Sequence, residues 1–345
     1  MGDYASSGVD EEREQAAFSG VMRPWLEKTR VARGGVRVLA GIGSGHFASV
    51  IDVGGAAAIA ITTDGVGTKI EIARLVGRFE GIGVDVVANN VNDLICVGAD
   101  PVAMVDYIAW DAVDEEVLGE LARGMFLGAD AAGVAVVGGE IAQVASMLAS
   151  RRAGEPVVFD LVGTAIGVQA GPLVDGSAVV AGDVVVGLRS SGLHSNGYSL
   201  ARRALGEEGV RAHADALLEP TRIYVGAARA LWAAGVAVHG MVHISGGGLL
   251  NLLRLAAPVG YVLDRLPVPP PVFDAVAAAG GVPAAEMYAT FNMGIGLCVV
   301  LPESTVDAAV GAMGEGDVIG SVVTGPDRRV EIPAAGLVGR GDTFS

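Results

Sequence analysis

Three carboxylates stand where apolar segments of the sequence end. Asp64 closes the run "AAAIAITTD", Asp93 sits in "NNVNDL", and Glu140 follows Gly138-Gly139. Ends of elements are where a scaffold fixes a side chain's direction and leaves it accessible. Three hard oxygen donors from separate elements suit a nucleotide-borne Mg²⁺ ion, with water and phosphate oxygens completing its shell. Each acid alone also reads as structure: Asp64 as a turn acid, Asp93 as a helix-surface charge, Glu140 as a cap. Their joint placement around "TTDGVGTK" (62–69) favours the metal set.

That segment has the make-up of a phosphate site without the Walker spacing, because only Thr68 separates Gly67 from Lys69 and Ile70 follows. Gly65 and Gly67 would let backbone N–H groups approach a phosphate, with Thr63 and Thr68 beside them and Lys69 supplying charge. The 23 basic residues include only Lys28 and Lys69 as lysines, so ordinary surface charge here is carried by arginine. A compact ammonium inside a glycine-rich turn therefore points to a phosphate oxygen. A solvated lysine is the structural alternative.

The second half offers a different set. "RSSGLHSNGYSLARRAL" places Ser190, Ser191, Ser195 and Asn196 around His194, just ahead of a helix. Free N–H groups at a helix start, flanked by hydroxyls, make a phosphate site. A capped helix with a solvent-facing histidine explains the same spacing. His243 before Ser245-Gly246-Gly247-Gly248 poses the same choice, since triple glycine marks either close backbone approach or a turn with positive φ. "GIGSGHF" (41–47), with Gly41, Gly43 and Gly45, opens like a dinucleotide fingerprint but has His46 where the third glycine belongs. It reads as a flexible stretch.

The elements that must position these residues alternate along the chain. Strands are expected over "AAAIAITTD", "PVAMVDYIAW" and "GVAVVGGE", and helices over "GIGVDVVANNVNDLICVGA" and from an Asp114 cap to about Ala132. Periodicity breaks at 168–176, "VQAGPLVDG". Beyond it come the strand "DVVVGL" and a helix after the serine-rich loop, then strand, glycine turn and helix over "VHGMVHISGGGLLNLLRLA". A last strand leads to a helix capped near Ser304. The layering is α+β in each half. An N-terminal domain spans 1–170, its first twenty residues a polar arm, and a C-terminal domain spans 171–345. A net charge of −16 disfavours nucleic acid and anionic membranes as partners. Two cysteines are too few for a disulfide framework and suit a reducing cytoplasm. No apolar stretch reaches membrane-spanning length.

Eight ordered segments resemble the phosphoribosylformylglycinamidine cyclo-ligase (aminoimidazole ribonucleotide synthetase) family over nearly the whole chain. They are "GVD" at 8–10, "TDGVGTK" at 63–69, "IGVDVVANNVNDL" at 82–94, "VGGE" at 137–140, "SSGLHSNGYSL" at 190–200, "EPTRIYV" at 219–225, "HISGGG" at 243–248 and "EMYATFNMGIG" at 286–296. The resemblance implies a two-domain protomer whose N-terminal sheets pair across a homodimer, with ATP and Mg²⁺ in the cleft. By position it implies Asp64, Asp93 and Glu140 as the metal acids, Lys69 as a phosphate contact, and the Gly41–Phe47 loop as a closure over nucleotide. His194, Ser195 and Asn196 would meet the ribose phosphate or the reacting amide, with His243 and Gly246 also facing substrate. The chain departs from the family pattern at Ile141-Ala142-Gln143-Val144, which lacks the usual hydroxyl after "GGE", and at Leu249-Leu250-Asn251, which lacks an acid found in many bacterial members.

The implied substrate is formylglycinamidine ribonucleotide. Phosphorylating its amide oxygen makes a leaving group, the tethered amidine nitrogen closes the ring, and His194 is the expected proton acceptor. Other readings are a related kinase or a silent dimeric scaffold. Selenophosphate synthesis is disfavoured by the lack of cysteine in the arm and glycine loop, and thiamine-monophosphate kinase by Asn92 preceding Asp93 instead of an acid.

Overall fold

Along Ile59–Gly65, Ala60 and Thr62 are buried while Ile61 and Thr63 are exposed, the period-two alternation of a strand with one covered face. This strand belongs to the first of two sheets in the computed structural model, which describes residues 37–40, 46–52, 54–55, 57–148, 157–325 and 327–345. The sheet comprises β1 (Arg37–Ala40), β2 (Ser49–Asp52), β3 (Ile59–Gly65), β4 (Ala99–Trp110), β5 (Ala135–Gln143) and β6 (Phe159–Gln169), in the order β1-β2-β3-β6-β4-β5. Only β4 and β5 pair in parallel. That pairing requires a crossover, supplied by the helix Glu115–Ala132. Asp114 caps this helix, its carboxylate accepting from the N–H groups of Glu116 and Val117 at 3.0 and 3.2 Å.

The helices of this half are α1 (Lys69–Val76), α2 (Glu80–Cys96) and α3 (Glu115–Ala132). The α2–α3 crossing is unusually close because glycine stands at the contact: a Cβ on Gly124 would lie 1.8 Å from the Glu80 carbonyl oxygen. Helix α2 covers β3, β6 and β4 on one side and packs against the second sheet on another. It is the seam of the molecule.

The second sheet has the order β14-β13-β12-β9-β11-β7-β10-β8. Its strands are β7 (Asp183–Arg189), β8 (Gly240–His243), β9 (Val259–Val262), β10 (Ile295–Pro302), β11 (Asp317–Thr324), β12 (Val330–Ile332), β13 (Leu337–Arg340) and β14 (Thr343–Phe344). β7 and β10 read as continuous apolar runs because both their faces are covered. Helix α4 (Tyr198–Ala212) follows the serine-rich loop and is interrupted at Gly206.

Two local expectations change. The segment after the triple glycine is a 3-10 helix, Gly248–Arg254, not an α-helix. The helix expected to be capped near Ser304 starts at Val306 with Thr305 at the cap position, and the Thr305 hydroxyl donates to the Pro302 carbonyl instead of capping. Gly41, Gly43, Gly45, the N-terminal arm and residues 149–156 lie outside the described residues.

Candidate active site at the seam between the sheets

Helix α2 is buried nearly all round, yet it carries Asp85, Asn89, Asn90, Asn92 and Asp93. Buried polar groups must find partners: Asn89 and Asn90 find theirs on β3, and Asp85, Asn92 and Asp93 find theirs across the seam. Asn89 and Asn90 donate to the carbonyls of Gly65 and Asp64, both at 3.1 Å, and so pin the turn after β3. Asn92 donates to the Arg222 carbonyl at 2.8 Å and accepts from the Tyr224 N–H at 2.9 Å. Asp93 meets His243 at the end of β8, Oδ1 to Nδ1 at 3.0 Å.

Lys69 is not at the loop surface. Its ammonium lies 2.7 Å from Asp85 Oδ2, with both side chains wholly buried, and it donates to the Glu219 carbonyl at 2.8 Å. It also sits 5.7 Å from the centre of the Tyr198 ring. Burial pushes its pKa down and the Asp85 carboxylate opposes that shift. The other Asp85 oxygen accepts from the Thr221 N–H at 2.7 Å. Lys69 therefore corrects the expected phosphate contact: its three donors are directed inward to a network that ties α1 and α2 to the 219–222 segment. Extracting it would strand a buried carboxylate. In that network Asp85 was passed over in the sequence, although an acid on the apolar face of "IGVDVV" signals a buried cation.

Asp64 and Asp93 lie within electrostatic reach of each other. The Asp64 carboxyl keeps accessible surface but is crowded from most directions, and that crowding, followed by the Asp93 carboxylate, raises its pKa to about 7. Glu140 does not join them. Cross-strand register places it in a row with Tyr107, Val162 and Gly65, three strand spacings or about 14 Å from β3. Side chains alternate faces, so Glu140 points to the side of the sheet away from α2, whereas Asp64 shares its row with Gly163, Asp106 and Gly139. Among the described residues no group of three or more His, Cys, Asp or Glu side chains is arranged to hold a metal ion. Asp106 is an acid not singled out in the sequence: half-buried in the Asp64 row, its pKa is raised by burial. Gly139 opposite makes room for it, since a Cβ there would lie 2.3 Å from Asp106 Oδ1.

His194 is buried, takes a left-handed φ of 63°, and among the described residues finds no hydrogen-bond partner for either ring nitrogen. Burial, helped by His243, Lys69 and Arg222, holds its pKa well below the usual imidazole range. The ring lies 6.1 Å from that of His243 and 6.2 Å from that of Tyr224. Gly296 leaves the space for them, as a Cβ there would come within 1.9 Å of the Tyr224 hydroxyl and 2.5 Å of His194 Cε1. The loop hydroxyls are committed internally: Ser190 donates to Asn292 Oδ1, Ser191 to the Pro220 carbonyl, and Ser195 bonds Thr221 at 2.9 Å. Asn196 and Gly246 are half-buried. Thr63 donates to the Gly163 carbonyl, and Thr68 bonds Ser199 across α1 and α4.

Two layered domains joined through a polar-studded helix define the class. Residues 45–169 match the AIR synthase related protein N-terminal domain, and 180–333 its C-terminal domain. The chain belongs to the phosphoribosylformylglycinamidine cyclo-ligase family. It is 41% identical to the protein of that name from Methanothermobacter thermautotrophicus, over 91% of this chain and 92% of the relative. With the Thermococcus kodakarensis protein of the same name it shares 42% identity, over 95% and 97%. Among solved structures, AaThiL complexed with AMPPCP and TMP superposes with a TM-score of 0.63 at 16% identity, covering 92% of this chain and 95% of that one. Hydrogenase maturation protein HypE in complex with ATP gives 0.60 at 21% identity, covering 83% and 84%. These two show a shared fold.

Proposed function

We propose that this protein catalyses the ATP-dependent ring closure of formylglycinamidine ribonucleotide to 5-aminoimidazole ribonucleotide, releasing ADP and phosphate. The observation that carries the reading is the meeting of Asp64, Asp93 and His243 at the seam, in a chain that aligns almost end to end with relatives named for this activity. Asp64 and Asp93 fit a hard divalent ion such as Mg²⁺: two crowded carboxylates repel each other, and a shared cation relieves that repulsion. When bound, ATP supplies the phosphoryl group that makes the amide oxygen a leaving group, and Mg²⁺ offsets part of its charge.

The chain's own residues do the rest. His243 Nδ1 bonds to Asp93, which orients the ring, and His243 Nε2 is buried with no hydrogen-bond partner among the described residues. His194 is neutral at pH 7, and a substrate N–H is the partner its ring nitrogens lack, so it suits the proton released as the ring closes. Ser190, Ser191 and Ser195 act through the loop they hold, leaving Asn196 and Gly246 to touch substrate. The Gly41, Gly43 and Gly45 segment would lie over the nucleotide. Two buried free cysteines, Cys96 and Cys298, accord with a reducing cytoplasm. Among the described residues no helix is long and apolar enough to cross a membrane. The side of the first sheet away from α2 is apolar and exposed, which supports a homodimer formed through that face, with Glu140 belonging to it.

The deciding measurement is ADP release by purified protein with Mg²⁺ and formylglycinamidine ribonucleotide, with the aminoimidazole product counted in parallel. Equal yields are expected. ADP release only with thiamine monophosphate, or with neither compound, would overturn the proposal.

A further inference from the structure

With Lys69 locked to Asp85, a polyphosphate arriving at Asp64 and Asp93 would meet two acids and no lysine of the described residues. Arg254, the last residue of the 3-10 helix that follows the triple glycine, is exposed. Its guanidinium carbon lies 4.9 Å from the centre of the Phe47 ring. Phe47 is itself buried, and its carbonyl accepts from the Thr62 hydroxyl at 3.4 Å, two residues before Asp64. Arg254 has no hydrogen bond or ion pair to a described residue, whereas Arg74, Arg222, Arg229 and Arg329 are each committed to a carboxylate.

We propose that Arg254 is the phosphate-contacting cation of the nucleotide site, held in readiness on the face of Phe47. A guanidinium stacked on an aromatic ring keeps its edge donors free, and that edge matches phosphate oxygens in a bidentate fork. Phe47 holds the guanidinium beside β3, since its carbonyl bonds the Thr62 hydroxyl two residues before Asp64. The same proximity would place the fork beside phosphate oxygens brought to the acid pair. The inference rests on the nucleotide reading given above.

The test is calorimetric titration of MgATP into wild type, Arg254→Lys and Arg254→Ala, with Arg265→Ala as a control for net charge. Arg265 is paired only with its neighbour Asp264 on the surface. Arg254→Ala is expected to weaken MgATP at least tenfold with an unchanged unfolding midpoint, and to flatten the salt dependence of binding. Arg254→Lys should recover part of the affinity, and Arg265→Ala should bind as wild type does. Affinity in Arg254→Ala within twofold of wild type overturns the assignment. If wild type itself fails to bind MgATP, the nucleotide reading falls and the assignment falls with it.

Discussion

At the scale of single residues, His194 shows what a buried imidazole without partners does. Its pKa is depressed in the folded state, chiefly by burial, relative to an ordinary value of 6.5. Above that pH the ring is neutral folded or unfolded, and its protonation does not affect stability. Below it the unfolded chain takes up a proton that the folded site refuses, so stability falls as pH drops. The loss builds as pH falls from 6.5 to 5.5. The variant His194→Asn, whose side chain tolerates the left-handed φ, should lose less stability over this interval than wild type in paired thermal melts at pH 7.5 and 5.5. Equal acid sensitivity would mean the ring is solvated. The same variant should lose turnover while still binding MgATP, as a proton acceptor would. The pairing of His194 with His243 was not legible in the sequence. "GLHSNG" and "VHISGG" lie about fifty residues apart, and only the β8–β10 register and the gap left by Gly296 bring the rings together.

At the scale of elements, the strands β3, β4, β5 and β7 and the helices α2 and α3 followed from period and caps, whereas the inner strand β6 and the strands β9 and β11–β14 were not read. The Asp114 cap, the β3 strand and the α2 helix were readable because their causes are local. Lys69 was not, because its partner is chosen by packing: Asp85 lies on another helix, and the Glu219 carbonyl is 150 residues away. Rarity of lysine marked the residue as special but could not say whether the ammonium faced in or out. Removing one member of a buried pair destabilises by about 3–5 kcal/mol. Lys69→Met should therefore lower the urea-unfolding free energy by that order. The double variant Lys69→Met/Asp85→Asn should be less destabilised than the sum of the singles. If Lys69→Met keeps wild-type stability and loses only MgATP affinity, the inward assignment is wrong. The α2–α3 contact makes a second claim at this scale. Gly124→Ala forces a methyl group toward the Glu80 carbonyl, and overpacking of this kind costs about 1–3 kcal/mol. A shift of the urea midpoint of that size, with α2 carrying Asp93 out of register, should also reduce turnover. Gly119→Ala on the same helix, where the added Cβ meets no neighbouring element, should raise the midpoint slightly through helix propensity and leave turnover unchanged.

At the scale of the whole molecule, the first sheet has one face too many. Helix α2 covers the side carrying Ala60, Met104 and Ala165, but the other side displays Ile61, Val105, Tyr107, Ile166 and Val168, each about two-fifths exposed. These residues fall in adjoining cross-strand rows, with Ile61 beside Ile166 and Tyr107 beside Val162. A contiguous apolar face of this kind is not left to water in a stable monomer. The sequence resemblance implied that such sheets pair across a homodimer, and the face has the position and composition for it. Glu140 shares this face. That is why three acids aligned as a set along the sequence separate in one protomer: a β-strand sends neighbours to opposite sides, and β5 places its acid one residue out of the Asp64 row. The expected outcome is that wild type runs as a dimer in size exclusion with light scattering, with an unfolding midpoint that rises with protein concentration. Val105→Glu puts a charge at the centre of the face but at a position that a monomer can hydrate. It should give a monomer with normal secondary structure and a midpoint independent of concentration. A dimer of unchanged stability in that variant would mean the copies meet elsewhere, and a wild-type monomer would leave the face with some other cover.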